Sequence, residues 1–452
     1  MTPNKSLELS HEIQKLMKNN LLGPVQSVFP FEVVEAYRNP AKSRDRVFNC
    51  SNTLLTMVLT AFQEDKTLQN SLNIFKLIHT ATGKQAKAYA MEMFEKEKLR
   101  DQQQGKSKGR PKKYHPHVPK SKTQSISNNT AAWSKARGRV EQKLVDEVYA
   151  ASKDFSGYQI NDSWNGKEVF ITDGTYFQMQ DTPELRKKYY VTDTDASTDP
   201  SYPQGLLQGM VKQGSGCVWD YEIGTRHQSE LELAGPMLPR LPEGSLLLAD
   251  DLYNTYAIFS IILANKLDII VPGKRVRNYK VIEQIVEGDE IVEIKKTSRP
   301  AWLPQDFVLP QTLRLRKITY KDSNNETEYV LYTTILDVSI SKSDLIAKYL
   351  TRWDIEITIR EIKTIMDVNV ARSKTEAMVF KEMAVALIAY NLIRKIIAQS
   401  AQNADNSQPA VLFPPQEDII QKFYTLNKKL LIDKKGRRYN RWSPGRYGKH
   451  AS

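Results

Sequence analysis

Apolar positions recur at helical spacing through the first hundred residues. "SNTLLTMVLTAFQ" (51–63) and "SLNIFKLIHTATG" (71–83) each carry an apolar stripe, and "GKQAKAYAMEMFEKEKLRDQQQ" (83–104) is built of strong helix formers. The pattern stops at "QGKSKGRPKKYHPHVPKSKTQS" (104–125), which mixes Pro, Gly, Ser and Lys without apolar periodicity and reads as a basic linker or arm. "AAWSKARGRVEQKLVDEVYAASK" (131–153) then predicts one helix with Val140, Leu144 and Val148 on one side.

Short apolar runs follow, alternating with helical patterns. "KEVFITDG" predicts a buried strand ending at Asp173. "GLLQGMVKQGSG" and "CVWDYEIGTR" predict two strands joined by a turn. "GSLLLADD" predicts a strand ending at Asp250 and Asp251, and "DIIVPGK" another after the buried helix "YAIFSIILANK". "QSELELAGPMLPRL" is helical until its prolines. This alternation indicates a mixed α/β core. From Arg275 to Ile340 the pattern becomes β-rich, with a hairpin turning at Glu287-Gly288-Asp289 and two further strands flanking "KDSNNE". The sequence contains no internal repeat.

The stretch "YLTRWDIEITIREIK" (349–363) supports two periods. Trp353, Ile355, Ile357 and Ile359 alternate with polar residues as in a strand, but the alternation fails at Glu361-Ile362. A helix accounts for more: Ile355, Ile359, Ile362 and Met366 form one apolar stripe. Tyr349, Arg352, Glu356, Arg360 and Lys363 form the stripe beside it, and Tyr349, Arg352, Glu356 and Lys363 fall within about 60° of one helix face.

Composition narrows the class. The 452 residues hold 65 Lys and Arg against 52 Asp and Glu, a net charge of +13 that suits a polyanionic partner. Cys50 and Cys217 stand far apart without metal-spaced partners, which argues against a disulfide framework or zinc site. His115 and His117 in the linker likewise lack acidic or cysteine partners. No apolar run reaches membrane-spanning length, and the N-terminus lacks a signal-peptide pattern, so a soluble, reducing, intracellular protein is expected.

Two strands end in apolar residues followed by Asp: "VFITD" at Asp173 and "LLLAD" at Asp250. The carboxyl rim of an α/β sheet is where such folds place ligands. With Glu356 from a helix packed on that sheet, three carboxylates could converge. Their mutual repulsion calls for a hard divalent cation such as Mg²⁺, and two such ions suit in-line phosphoryl displacement. Each residue also has a plainer role. Asp173-Gly174-Thr175 is good turn chemistry, an Asp after a strand often caps a helix, and Arg352-Glu356-Arg360 could be an ion ladder worth about 0.3–0.5 kcal/mol per pair.

The same stretch carries Tyr-x2-Arg-x3-Glu-x6-Lys in full. It resembles the signature of bacterial insertion-sequence transposases with an Asp-Asp-Glu (DDE) active site. The similarity continues through "SKTEAMVFKEMAVALIAYNLIR" to Arg394. "ITDGTYFQMQDTPE" resembles the region of the first aspartate in that group, "LLLADDLYNTY" the second, and a β-rich insertion before the glutamate is shared. The resemblance spans roughly residues 125 to 395. It departs at Asp251, where many relatives have a basic residue; Asp250 keeps the register of the apolar run, and Asp251 could cap the following helix.

The resemblance implies a ribonuclease-H-like core in which Asp173, Asp250 and Glu356 hold Mg²⁺ or Mn²⁺, with two ions per site. Tyr349, Arg352 and Lys363, with Arg360 beside them, would bind phosphates. Metal-activated water would free a 3′-hydroxyl at the element's end, and that hydroxyl would attack target DNA. Trp302 is a candidate to stack on an unpaired base where a DNA hairpin forms, its plainer role being packing beside Pro300 and Pro304. "KGRPKK", with Lys108, Arg110, Lys112 and Lys113, resembles a minor-groove arm or serves as an electrostatic tether.

The expected organisation is a helical DNA-binding domain over 1–103, a linker over 104–128, the catalytic core over 129–274 and 341–410, a β-rich insertion over 275–340 and a basic aromatic tail over 411–452. Expected partners are double-stranded DNA, at the element ends and the target, and further copies in a homodimer or higher oligomer. The expected location is the bacterial cytoplasm, at the nucleoid. A DNA-binding protein with an inert core and a metal nuclease without strand transfer are the alternatives.

Overall fold

The computed structural model describes residues 25, 28–36, 47–63, 65–76, 126, 128–160, 163–189, 202–273, 277–321, 328–364 and 366–404. Among the described residues, ten strands form one sheet: β1 (Ser163–Trp164), β2 (Lys167–Gln178), β3 (Gln204–Lys212), β4 (Val218–Thr225), β5 (Leu246–Leu248), β6 (Asp268–Pro272), β7 (Lys280–Val286), β8 (Asp289–Lys295), β9 (Thr312–Lys321) and β10 (Glu328–Thr333). Their order is β4-β3-β2-β5-β6-β10-β9-β8-β7, with β1 paired to β2 off this path. The contacts of β2 with β3 and β3 with β4 are antiparallel, whereas β2-β5 and β5-β6 are parallel. This is the mixed α/β architecture expected from the alternating pattern. The strands inserted between β6 and the signature stretch make no separate sheet, because β10 pairs with β6 and carries the ladder outward.

The α-helices among the described residues are α1 (Phe31–Ala36), α2 (Cys50–Ala61), α3 (68–76), α4 (Thr130–Arg139), α5 (Gln142–Ser152), α6 (Pro183–Tyr189), α7 (Glu230–Ala234), α8 (Tyr256–Ala264), α9 (Lys342–Leu350), α10 (Asp354–Thr364) and α11 (Glu376–Ala404). The single helix predicted over 131–153 is two. Val140 is extended at φ −60°, ψ 119° and ends α4, with the poor helix former Gly138 just before it. The buried side is nonetheless as expected, since Val140, Leu144 and Val148 are all buried.

Both faces of the central strands are covered, which explains why β5 reads as an unbroken apolar run. Phe170, Leu247, Ile269 and Val271 pack with α8 on one face. Val169, Ile171, Leu246, Leu248 and Ile270 pack with Leu345 and Ile355, from α9 and α10, on the other. Burying the three leucines of β5 contributes roughly 5–9 kcal/mol, enough to hold so short a strand between two neighbours. A third cluster gathers α2, α4 and α5 around α11, so the described helices before residue 153 dock on the long helix after the signature stretch.

Candidate active site

Asp173 does not end its strand. β2 continues to Gln178 because β3 remains alongside, pairing Asp173 with Gly209 and Gln178 with Gln204. What ends is the parallel partner: β5 stops at Leu248, which pairs with Ile171. Asp173 and Asp250 therefore stand at the same level, each two residues beyond that pair. Two residues is one strand period, so both point to the face of Ile171 and Leu248, the face covered by α9 and α10.

Asp250 is itself the cap of the following turn. Its carboxylate accepts the Leu252 N–H at 2.9 Å and opens a 3₁₀ turn over Asp251–Tyr253. The capping role weighed for Asp251 belongs to Asp250, which fixes that side chain at the sheet rim. Asp173 accepts the Gly174 N–H at 2.9 Å.

Beneath the two aspartates lies a buried polar network. Gln208 Nε2 donates to Thr172 Oγ1 at 2.8 Å and to Tyr253 Oη at 2.8 Å. These bonds tie β2, β3 and the 3₁₀ turn together directly behind the carboxylates. Tyr253 is fully buried, and its phenol is held well above its usual range, first by that burial.

The signature stretch is helical, but it is not one helix. α9 carries Tyr349, a 3₁₀ turn over Thr351–Trp353 carries Arg352, and α10 carries Glu356, Arg360 and Lys363. The tighter turn of three residues breaks the single stripe, and a β-branched Thr351 at the junction favours the break. The functional neighbours still meet: Tyr349 and Arg352 share a hydrogen bond, and Asp250 lies close enough to raise the Tyr349 phenol, whose upward shift comes first from burial. α10 is anchored on the sheet and on α11. Ile355 and Ile359 line one small pocket together with Asp173 and Gly209, and the buried Glu361 accepts from Tyr390 Oη at 2.9 Å.

The residue after Ile355 is Glu356, so its helix passes Asp173. The side chains of Glu356 and Arg360 lie outside the described residues. So do Lys108, Arg110, Lys112, Lys113, His115 and His117, and the tail over 411–452. Lys363 is half-buried in the last turn of α10. Trp302 stands apart from this helix: its ring packs over Gly235 at the end of α7, where an added Cβ would come within 2.8 Å of Cζ3.

A fourth carboxylate escaped the sequence analysis. Glu230 opens α7, and its side chain lies on Gly174, where an added Cβ would sit 2.6 Å from Glu230 Cδ. Burial pushes its pKa up to about 7, and Asp173 and then Asp250 push the same way, while the Gly174 N–H opposes them. In sequence Glu230 looks like an ordinary first-turn acid after the cap Ser229, and only the fold puts it beside two aspartates. Among the described residues, no three His, Cys, Asp or Glu side chains gather closely enough to hold a metal ion.

The family model described as "Transposase DDE domain" matches residues 164–392, which takes in both aspartates, the inserted strands and the signature stretch. The chain belongs to this transposase DDE-domain family. It is 25% identical over 282 residues to transposase InsG for insertion sequence element IS4 of Escherichia coli (strain K12), covering 61% of this chain and 62% of InsG. The putative transposase InsZ of the same strain is 30% identical over 125 residues, 27% of this chain and 42% of InsZ. The chain thus spans about three fifths of the length of InsG. A solved piggyBac transposase synaptic complex with hairpin DNA aligns with 92% of this chain and 80% of that one, at a TM-score of 0.40 and 10% identity. Among the described residues of this transposase-family chain, no helix is long and apolar enough to cross a membrane.

Proposed function

We propose that this protein is an active transposase that binds the ends of its own insertion sequence, cleaves the phosphodiester there and joins the 3′ end to target DNA. The level placement of Asp173 and Asp250, on the face that the Glu356 helix covers, is the observation that carries this reading. The donor set fits a hard divalent ion: burial first, and then the Asp173 and Asp250 charges, push the Glu230 pKa up, and oxygen ligands of this kind suit Mg²⁺ or Mn²⁺. Asp173, Asp250 and Glu356 would hold the metal, which when bound supplies nucleophile activation and leaving-oxygen stabilisation, with two ions suiting the chemistry.

The chain's own residues do the rest. Asp250 is oriented by the Leu252 N–H, and Asp173 by the Gly174 N–H and the pairing of its strand with β3, so neither must be ordered at the moment of reaction. Tyr349 and Arg352, paired at the mouth of the site, place a phenol and a guanidinium where a scissile phosphate would sit, and Lys363 adds charge one helix-length on. Together with Glu356 these residues make up the Tyr-Arg-Glu-Lys signature. The helical N-terminal region and the basic linker supply affinity for the element ends, with oligomerisation pairing two ends. Trp302 is a stacking candidate where a hairpin forms, on condition that its ring leaves Gly235.

Incubating the full chain with a labelled element end and Mg²⁺ or Mn²⁺ tests this reading. Nicking at the end followed by joined products is expected. Binding without cleavage would instead identify an inert DNA-binding relative, and cleavage without joining a plain nuclease.

A further inference from the structure

A cavity of about 390 Å³ opens between the N-terminal helices and the core, well away from the aspartates. It is lined by Lys66, by Arg137 of α4, and by Arg372 and Lys374 of the segment that follows α10. Two carboxylates share it, and both are engaged. Asp367 pairs with Arg372 at 2.7 Å, and Glu382 accepts the backbone N–H groups of Arg372 and Ser373 at 2.9 and 2.8 Å. Four cations against two carboxylates leave a surplus of two positive charges in one cleft.

Two of those cations are held with little water. The Lys66 amine donates to the Met366 carbonyl, and burial lowers it to about 8 although Asp367 and Glu382 oppose the shift. Burial also lowers Arg137, against the pull of Glu382. Desolvated cations in surplus are stabilised by an incoming anion, and the hydroxyls of Thr67 and Ser134 add donors along the wall.

Position selects the anion. The far end of β2 reaches this cleft, since Gln178 N–H donates to Asn369 O at 2.7 Å and Ala371 N–H to Gln178 O at 2.8 Å. Gln178 is five residues beyond Asp173, roughly 17 Å along an extended strand, which matches the axial rise of about five base pairs.

We propose that this cleft binds a backbone phosphate of duplex DNA, clamping the nucleic acid at the seam between the N-terminal helices and the segment that follows α10, about five base pairs from the cleavage point. The proposal rests on the transposase reading above. A phosphate contact carries no sequence information, so it acts on all duplexes alike and shows itself in the salt dependence.

The test measures binding of the full chain to its own end and to an unrelated duplex across a salt series, for wild type, Arg137→Gln and Lys374→Ala. Each variant should bind both duplexes roughly fivefold more weakly near 0.1 M salt, with the slope of log K against log salt shallower by about one. Lys374 is exposed, so Lys374→Ala, with the charge reversal Lys374→Glu, decides the matter if Arg137→Gln melts early. Slopes unchanged in folded variants would overturn the proposal while leaving the transposase reading intact. A loss confined to the element's own end would overturn it too, by showing base readout. Wild type that binds neither duplex would sink both readings.

Discussion

Asp173, on β2, and Asp250, just past the end of the parallel strand β5, stand level with each other, each two residues beyond the Ile171–Leu248 pair, although they are 77 positions apart in the chain. That relationship makes the first prediction specific. Asp250→Asn should retain the cap on Leu252, since Asn caps as well as Asp, and so keep the fold. Cleavage of a labelled end should fall by more than about a hundredfold while end-binding stays within about twofold. Weakened binding in a protein that melts like wild type would argue against a chemical role.

The raised pKa of Glu230 has a signed consequence for stability. A carboxyl whose folded pKa is about 7, above its ordinary value of 4.5, holds a proton in the folded state that the unfolded chain has lost. Stability therefore declines as pH climbs from about 4.5 through 7. Glu230→Gln should remove that part of the decline, so in EDTA the variant gains on wild type between pH 5 and 8. Parallel denaturant curves that keep a constant separation would refute the assignment. The groups facing Glu230 are Asp173 and Asp250, so restoring Mg²⁺ should shrink the difference.

Gly174→Ala probes the same contact from the backbone side. Its new Cβ would meet the Glu230 carboxyl at 2.6 Å and displace it, at a cost of about 1–3 kcal/mol by urea denaturation. In a Glu230→Ala background the same change should cost measurably less, because the obstacle is gone. Additive costs would show that Gly174 is required for some other reason.

The pair Arg316–Asp289 is almost wholly buried, with 1% of each side chain exposed, and bidentate at 2.8 and 2.6 Å. Arg316 Nη1 also donates to the carbonyls of Asp337 and Ile340, just before α9. Asp289→Ala leaves an unpaired buried guanidinium and should cost about 3–5 kcal/mol in a chemical melt. Cleavage should suffer alongside, since the loop leading into α9 loses its anchor. A cost under about 1 kcal/mol would mean the pair is solvated in solution.

Most of the strands were legible because covered strands read as apolar runs. The two aspartates were legible because each interrupts such a run. Three features were not. Gly174 and Thr175 carry turn chemistry, yet β2 passes straight through them, since they pair with Gln208 and Leu207 of the antiparallel neighbour β3, 34 and 32 positions on. The 3₁₀ turn at Thr351–Trp353 hides in a segment whose spacing fits one helix. Only folding brings Glu230 within electrostatic reach of Asp173 and Asp250: nothing near it in sequence sets it apart from Glu232, two positions on, which accepts from Gln228 instead.

The sheet that carries the aspartates runs without a seam into the four inserted strands. β6 gives one side to β5 and the other to β10, so excising residues 275–340 would not yield a smaller protein with the same core. It would bare a row of N–H and C=O groups on a short, hydrophobic strand next to the acidic rim, an invitation for two such molecules to stick together edge to edge.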